Sequence, residues 1–87
     1  MQIKVELFGI PRVRAGVSQT LASGSTLGEV IEDLAKRFPA LGEECFQGRF
    51  LKVGYTANLR GEHFLTDPAF RLNEGDAILF LSLDAGG

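Results

Sequence analysis

Apolar and polar positions along this chain repeat with two different periods, and the changes of period mark out its elements. Ile3, Val5 and Leu7 alternate with Gln2, Lys4 and Glu6, the two-residue period of a half-buried strand. Phe8 falls on the polar side of that alternation. Gly9, Pro11 and Gly16 mark a loop, and the looser alternation from Val17 to Ala22 predicts the second arm of a hairpin. After the Ser23-Gly24-Ser25 break, Leu27, Val30, Ile31, Leu34 and Phe38 recur at i, i+3, i+4, i+7 and i+11, the single buried stripe of a helix. Thr26 and Glu29 fit a capping box at its start, with Ser25 as the alternative cap. Glu32 with Lys36, and Asp33 with Arg37, are spaced as weak ion pairs on its solvent side. Pro39 stops the helix because it lacks a donor and restricts the residue before it. From Ala40 to Gly48 the pattern is irregular, with room for one short helical turn. A third strand is predicted over Phe50 to Ala57, with Leu51, Val53 and Tyr55 on one face. Asn58 to Gly61 supplies turn chemistry, His63-Phe64-Leu65 a short fourth strand, and Asn73-Glu74-Gly75-Asp76 a tight turn into a last strand from Ala77 to Leu83.

The order strand, strand, helix, strand, short strand, strand predicts an α+β domain. A helix with one apolar stripe must bury it, and the economical arrangement lays it across one face of a mixed four- to five-stranded sheet. Joining strands through that helix requires a crossover, normally right-handed. The last strand then runs beside the first and parallel to it, which is the β-grasp (ubiquitin-like) arrangement. No repeat or linker interrupts the chain, so residues 1–87 read as one domain, ending in a flexible tail over residues 84–87. Such a sheet keeps one face free of its helix. In the last strand both alternations are apolar: Ile78 and Phe80 on one side, Leu79, Leu81 and Leu83 on the other. Only one set can face the helix. The other, with Phe8, predicts an apolar patch beside the tail and therefore a partner surface; loops covering it, or a core on both faces, are the alternatives.

Composition narrows the classes of function. With 87 residues there is room for one modest core and little for an enclosed active site. A formal net charge of -2 and the absence of a basic stripe argue against nucleic acid as the main partner. No apolar run reaches membrane-spanning length and Met1-Gln2-Ile3-Lys4 lacks the character of a secretion signal, so a cytoplasmic protein with no membrane partner is expected. Cys45, the single cysteine, excludes both an internal disulfide and an iron–sulfur ferredoxin.

Candidate chemistry concentrates at the end of the chain, Asp84-Ala85-Gly86-Gly87. Two glycines in a row form a ribbon slender enough to enter a narrow pocket and present the Gly87 carboxylate to another protein's active site. Adenylation would make that carboxylate an electrophile for a sulfur donor or an amine. A frayed, inert terminus is the alternative. Elsewhere the signals are weak. His63 has no cysteine or histidine at ligand spacing, so no metal site is expected. Cys45 beside Phe46 reads as a small buried hydrophobe. Adjacent Glu43 and Glu44 point to different sides of any regular element, which is poor geometry for shared acid–base work. The scattered glycines form no phosphate loop.

Taken in order, Val5-Glu6-Leu7-Phe8 followed by Arg12 and Gly16, the Thr26-Leu27 helix start, Leu72-Asn73-Glu74-Gly75-Asp76, the closing apolar strand and Gly86-Gly87 carry a resemblance over the whole chain. The chain resembles the MoaD/ThiS β-grasp sulfur carriers, and among them the small subunits of molybdopterin synthase. The resemblance implies that a ubiquitin-activating-type enzyme uses ATP to adenylate Gly87 and that sulfur transfer then gives a C-terminal thiocarboxylate. It implies a sulfur-accepting synthase subunit into which Asp84, Ala85, Gly86 and Gly87 insert. It further implies a non-catalytic carrier with no stably bound cofactor, and places Phe8, Arg12 and Leu81 at the activating enzyme, with Leu79 and Leu83 on the same surface. Where many molybdopterin carriers have Pro-Pro shortly before the diglycine, this chain has Ser82-Leu83. Carriers for thiamin, cysteine or tRNA thiolation therefore stay open as alternatives, as do a modifier conjugated to lysines through the diglycine and a plain interaction domain with an inert tail.

Overall fold

In the computed structural model, which describes residues 1–83, Ile3, Val5 and Leu7 point inward from strand β1 (Gln2–Phe8) while the residues between them face solvent. Strand β2 (Gln19–Ser23) returns antiparallel to β1, with Ile3 opposite Ala22. The connection departs from the loop expected there. It contains a six-residue helix, α1 (Ile10–Ala15), with Pro11 buried in its first turn and Gly16 capping it in the left-handed conformation at φ 79°. Proline just inside a helix start and glycine just past its end are the punctuation of a short helix as much as of a loop.

The apolar stripe forms helix α2 (Leu27–Arg37), burying Leu27, Val30, Ile31 and Leu34. Both candidate caps contribute. Thr26 Oγ1 accepts from the Glu29 amide at 3.2 Å, and the Glu29 carboxylate reaches one residue further back, accepting from Ser25 N at 2.7 Å and Ser25 Oγ at 2.8 Å. Pro39 ends α2 and also opens a seven-residue helix, α3 (Pro39–Cys45), where irregular chain with room for one short helical turn was expected. Leu41 and Cys45, four apart, are the buried side of α3, and its Gly42 lies close enough to α2 that a Cβ there would sit 3.0 Å from that of Ala35.

The single strand expected over Phe50 to Ala57 is two. Strands β3 (Phe46–Gln47) and β4 (Phe50–Leu51) form a separate hairpin, the chain turns at Lys52–Gly54, and β5 (Tyr55–Leu59) begins beyond. Gly54, at φ 96°, permits that turn. Val53, expected on one strand face with Leu51 and Tyr55, is instead fully exposed at the tip of the turn. Asn58 and Leu59, expected in a turn, belong to β5, and the reversal into β6 (His63–Leu65) falls on Arg60 and Gly61. The turn at Asn73–Asp76 closes as predicted, with Asp76 N donating to Asn73 O and Asn73 N to the Asp76 carboxylate. It leads into β7 (Ala77–Ser82).

The main sheet has the order β2-β1-β7-β5-β6, with β7 parallel to β1 and antiparallel to β5. This is the expected mixed β-grasp sheet, with α2 as the main helix and α1 and α3 added beside it. One core joins Ile3, Val5, Ile31, Leu34, Ile78 and Phe80. Phe46 packs edge-on against Phe80 with ring centroids 5.5 Å apart.

Candidate partner interface on the open sheet face

The sheet face turned away from α2 is built by the residues that alternate with the core. Phe8, on the solvent side of β1, is paired in register with Leu81 of β7, which is paired in turn with Thr56 of β5. A second row runs Gln19, Glu6, Leu79, Asn58, Phe64 across all five strands. A third contains Leu21, Lys4 and Ala77. The face is therefore graded, apolar around Phe8 and Leu81 and charged toward Lys4 and Glu6. Phe8 is 50% exposed, and Leu79 and Leu81 are half-buried by their neighbours. The apolar patch expected from the two alternations of the last strand is present, and no loop among the described residues covers Phe8.

Because β1 and β7 are parallel, Phe8 and Leu81 lie at the end of the sheet from which the chain leaves β7. Leu83, 59% exposed, is anchored there through its amide to Gly54 O at 2.8 Å. The candidate reactive segment Asp84, Ala85, Gly86 and Gly87 lies outside the described residues. Arg12 is on α1, which follows Phe8 directly, and is exposed with no ion pair among the described residues. Phe8, Arg12, Leu81 and Leu83 thus gather at one end of the domain, while Leu79 sits one row further along the face. Sequence reasoning did not find three other apolar residues at that end. Ile10 and Val13 on α1 and Val53 at the β4–β5 turn are exposed, and Ile10 and Val53 line one hollow with Ser82. Ile10 and Val13 fall in a segment too short to show a period, and Val53 fitted an alternation with Leu51 and Tyr55 that gave no sign of a turn.

Among the described residues the remaining titratable groups are spread over separate elements. Cys45 is buried, and its thiol is pushed up to about 11 by burial first and by the neighbouring Glu44 carboxylate second; it is not a thiolate near neutral pH. Tyr55 donates to Glu44 Oε2 at 2.7 Å, and this bond, ahead of burial, pushes the phenol up to about 12. Arg14 completes that cluster at 3.3 Å from Glu44. His63 is exposed on β6. Among the described residues no three His, Cys, Asp or Glu side chains are placed to hold a metal ion, and no helix is long and apolar enough to cross a membrane.

The fold defines a β-grasp, ubiquitin-like domain. It is shared over essentially the full length with solved structures of low sequence identity. SAMP1 from Haloferax volcanii superposes with a TM-score of 0.84 at 21% identity, covering 100% of both chains. A chain of the Amycolatopsis orientalis BexX/CysO complex gives 0.80 at 20% identity, covering 98% of this chain and 99% of that one. A putative molybdopterin converting factor subunit 1 from Pyrococcus furiosus gives 0.76 at 21% identity, covering 94% and 97%. No protein-family model and no curated protein sequence matches the chain.

Proposed function

We propose that this protein is a sulfur carrier of the MoaD/ThiS type. The observation that carries the reading is the position of the exposed Phe8–Leu81 corner at the same end of the sheet as the exit toward Asp84-Ala85-Gly86-Gly87. A protein that grips this corner holds the root of the tail. With Gly87 as the terminal residue, its carboxylate attacks the α-phosphate of ATP on a ubiquitin-activating-type enzyme, and pyrophosphate leaves. Sulfide then attacks the acyl carbon, AMP leaves, and the terminus becomes a thiocarboxylate. The carrier supplies no catalytic group to either step; it supplies a docking face and a slender substrate. Molybdopterin synthesis is the acceptor pathway favoured here, with a large synthase subunit receiving the tail. The likeness to a molybdopterin converting factor subunit supports it. The likeness to SAMP1, a small archaeal modifier protein, favours conjugation to lysines as the second reading, since an adenylated glycine is open to attack by an amine as well as by sulfide.

The test is the intact mass of the protein after incubation with its adenylating enzyme, ATP and sulfide. The expected gain is that of one oxygen replaced by sulfur, abolished when Gly87 is deleted. No gain with an enzyme shown to be active would overturn the carrier reading. Adducts on target lysines in place of the thiocarboxylate would establish the modifier.

A further inference from the structure

The main sheet ends in β2 on one side and β6 on the other, and the two edges are protected differently. An unpaired edge invites another strand, and edges are usually blunted by shortness, charge, proline or a bulge. Strand β6 is short, at three residues. Strand β2 has none of these features. Gln19-Thr20-Leu21-Ala22-Ser23 carries no charge and no proline, and its register against β1 runs without a bulge from Gln19 to Ser23. Leu7 N donates to Ser18 O at 2.9 Å and Gly24 N to Met1 O at 3.1 Å. The even-numbered residues therefore bond to β1, and the N–H and C=O groups of Gln19, Leu21 and Ser23 face outward.

The protection of β2 comes from α2. Asp33 and Arg37 are spaced as an ion pair on the helix, and Arg37 Nη2 does lie 3.1 Å from Asp33 Oδ2. The pair also reaches across to the strand. Arg37 Nη2 donates to Leu21 O, Arg37 Nη1 donates to Thr20 Oγ1 at 3.3 Å, and Ser23 N donates to Asp33 Oδ2 at 3.0 Å. The guanidinium packs over the Phe38 ring as well, 5.2 Å from its centroid. A helix ion pair needs only its two members to stabilise the helix. Here the same two side chains occupy an outward acceptor and an outward donor of the neighbouring strand edge.

We infer that the Asp33–Arg37 pair holds the β2 edge shut against a second copy of this chain, which would otherwise add to it, strand β2 against strand β2. The edge is self-complementary. With Leu21 opposite Leu21 in antiparallel register, Leu21 N of each copy meets Leu21 O of the other, and Gln19 N and O meet Ser23 O and N. Leu21, 54% exposed on the open face, supplies an apolar contact at the centre of that pairing, and no like charges on the two strands oppose it. Every bond in this ladder except those from Gln19 N to Ser23 O uses Leu21 O or Ser23 N, the two groups that α2 already occupies. The inference concerns the chain alone and is independent of the carrier reading.

The experiment is sedimentation of the full chain over a concentration series, comparing the wild type with the double variant Asp33→Ala/Arg37→Ala, and with circular dichroism to verify the fold. The double substitution removes one charge of each sign, so the formal net charge stays at -2 and any association does not come from weakened repulsion. The double variant is expected to dimerise at concentrations on the order of 100-fold below any at which the wild type associates, each recovered ladder bond contributing about 5-fold. Adding Leu21→Pro to it should restore the monomer, because the Leu21 amide faces outward and its loss costs no bond to β1. In the dimer the Gln19 and Leu21 amides should also become protected from hydrogen exchange. A folded double variant that associates no more readily than the wild type overturns the inference. Association that survives Leu21→Pro, or that leaves both amides unprotected, places the contact elsewhere and overturns it too. Should the proline variant fail to fold, the exchange measurement decides. Should the double variant fail to fold, Arg37→Ala alone, which frees Leu21 O in both copies, is judged by the same criteria.

Discussion

Replacing Phe8 with alanine separates the role of the open face from the stability of the domain. An aromatic side chain buries 150–250 Å² when fully covered, so the exposed half of Phe8 offers about 100 Å² to a partner. At about 25 cal/mol per Å² this is ~2.5 kcal/mol, or roughly 70-fold in the dissociation constant if a partner covers the ring completely. The other half already contacts the domain, and its loss costs the fold about 2–3 kcal/mol by the same reckoning. A small domain with a typical stability of about 5–15 kcal/mol remains folded under that cost, so the variant can be assayed as a native protein. The assay is calorimetric binding to the adenylating enzyme, with ATP–pyrophosphate exchange as the functional readout and circular dichroism to verify the fold. Because Leu81 is the register neighbour of Phe8, Leu81→Ala should weaken binding too, and the double variant should lose less than the sum of the two. A change of less than about 3-fold for Phe8→Ala, in a protein shown to be folded, would mean that no partner desolvates the ring, well short of the effect its area allows.

Three further outcomes test other parts of the structure. Gly24→Ala would place a Cβ 2.8 Å from that of Glu29 and 2.9 Å from the Val30 backbone nitrogen, at a φ of 154°; a loss of about 1–3 kcal/mol in urea denaturation is expected, and an unchanged midpoint would refute the clash. Cys45 should resist a thiol reagent at pH 8 in the native protein and react on unfolding, since its thiol lies at about 11 and is buried; rapid native labelling would contradict that placement. Glu29 is held below its ordinary 4.5 chiefly by accepting from the Ser25 amide and then from the Ser25 hydroxyl. Its folded-state value being the lower one, the carboxylate's contribution is complete above about pH 4.5, where both states are ionised, and fades as pH falls through the folded value. Glu29→Gln should therefore destabilise the protein at pH 7 and by a smaller margin at pH 3, and an equal margin at both would sink the cap assignment.

The long-period features of this fold were legible in the sequence because each is imposed by a buried stripe. Leu27, Val30, Ile31 and Leu34 specify α2, and the alternations around Val5 and Phe80 specify the two central strands and, with the crossover, their parallel pairing. The short segments were not legible, since one turn of helix contains too few apolar positions to set a period. Pro11 and Pro39 read as breaks when each in fact opens a helix. Val53 fitted an alternation with Leu51 and Tyr55 that the turn at Gly54 interrupts. Of the docking face, Phe8, Leu79 and Leu81 were visible as apolar residues on the wrong side of their strands. Asn58 was not, because asparagine beside Arg60-Gly61 carries the chemistry of a turn, and only the sheet register shows that the strand runs through it to Leu59.

The parallel pairing of β1 with β7 is what joins the docking face to the tail. In a parallel pair both strands finish at the same edge of the sheet, so Phe8, the last residue of β1, meets Leu81 just before the chain leaves β7. An antiparallel last strand would send its C-terminus to the opposite edge, beside Gln2 and Ser23, far from the apolar corner. The covalent reach of the chain makes this placement consequential. From Leu83 to Gly87 there are four residues, which span at most about 14 Å in any conformation. An active site acting on Gly87 must therefore lie within about 14 Å of Leu83, and a partner that grips the apolar corner is already within that distance of it. The apolar corner is placed to provide affinity close to the root of the tail, and the row of Glu6, Leu79 and Asn58 lies one step back from it along the strands.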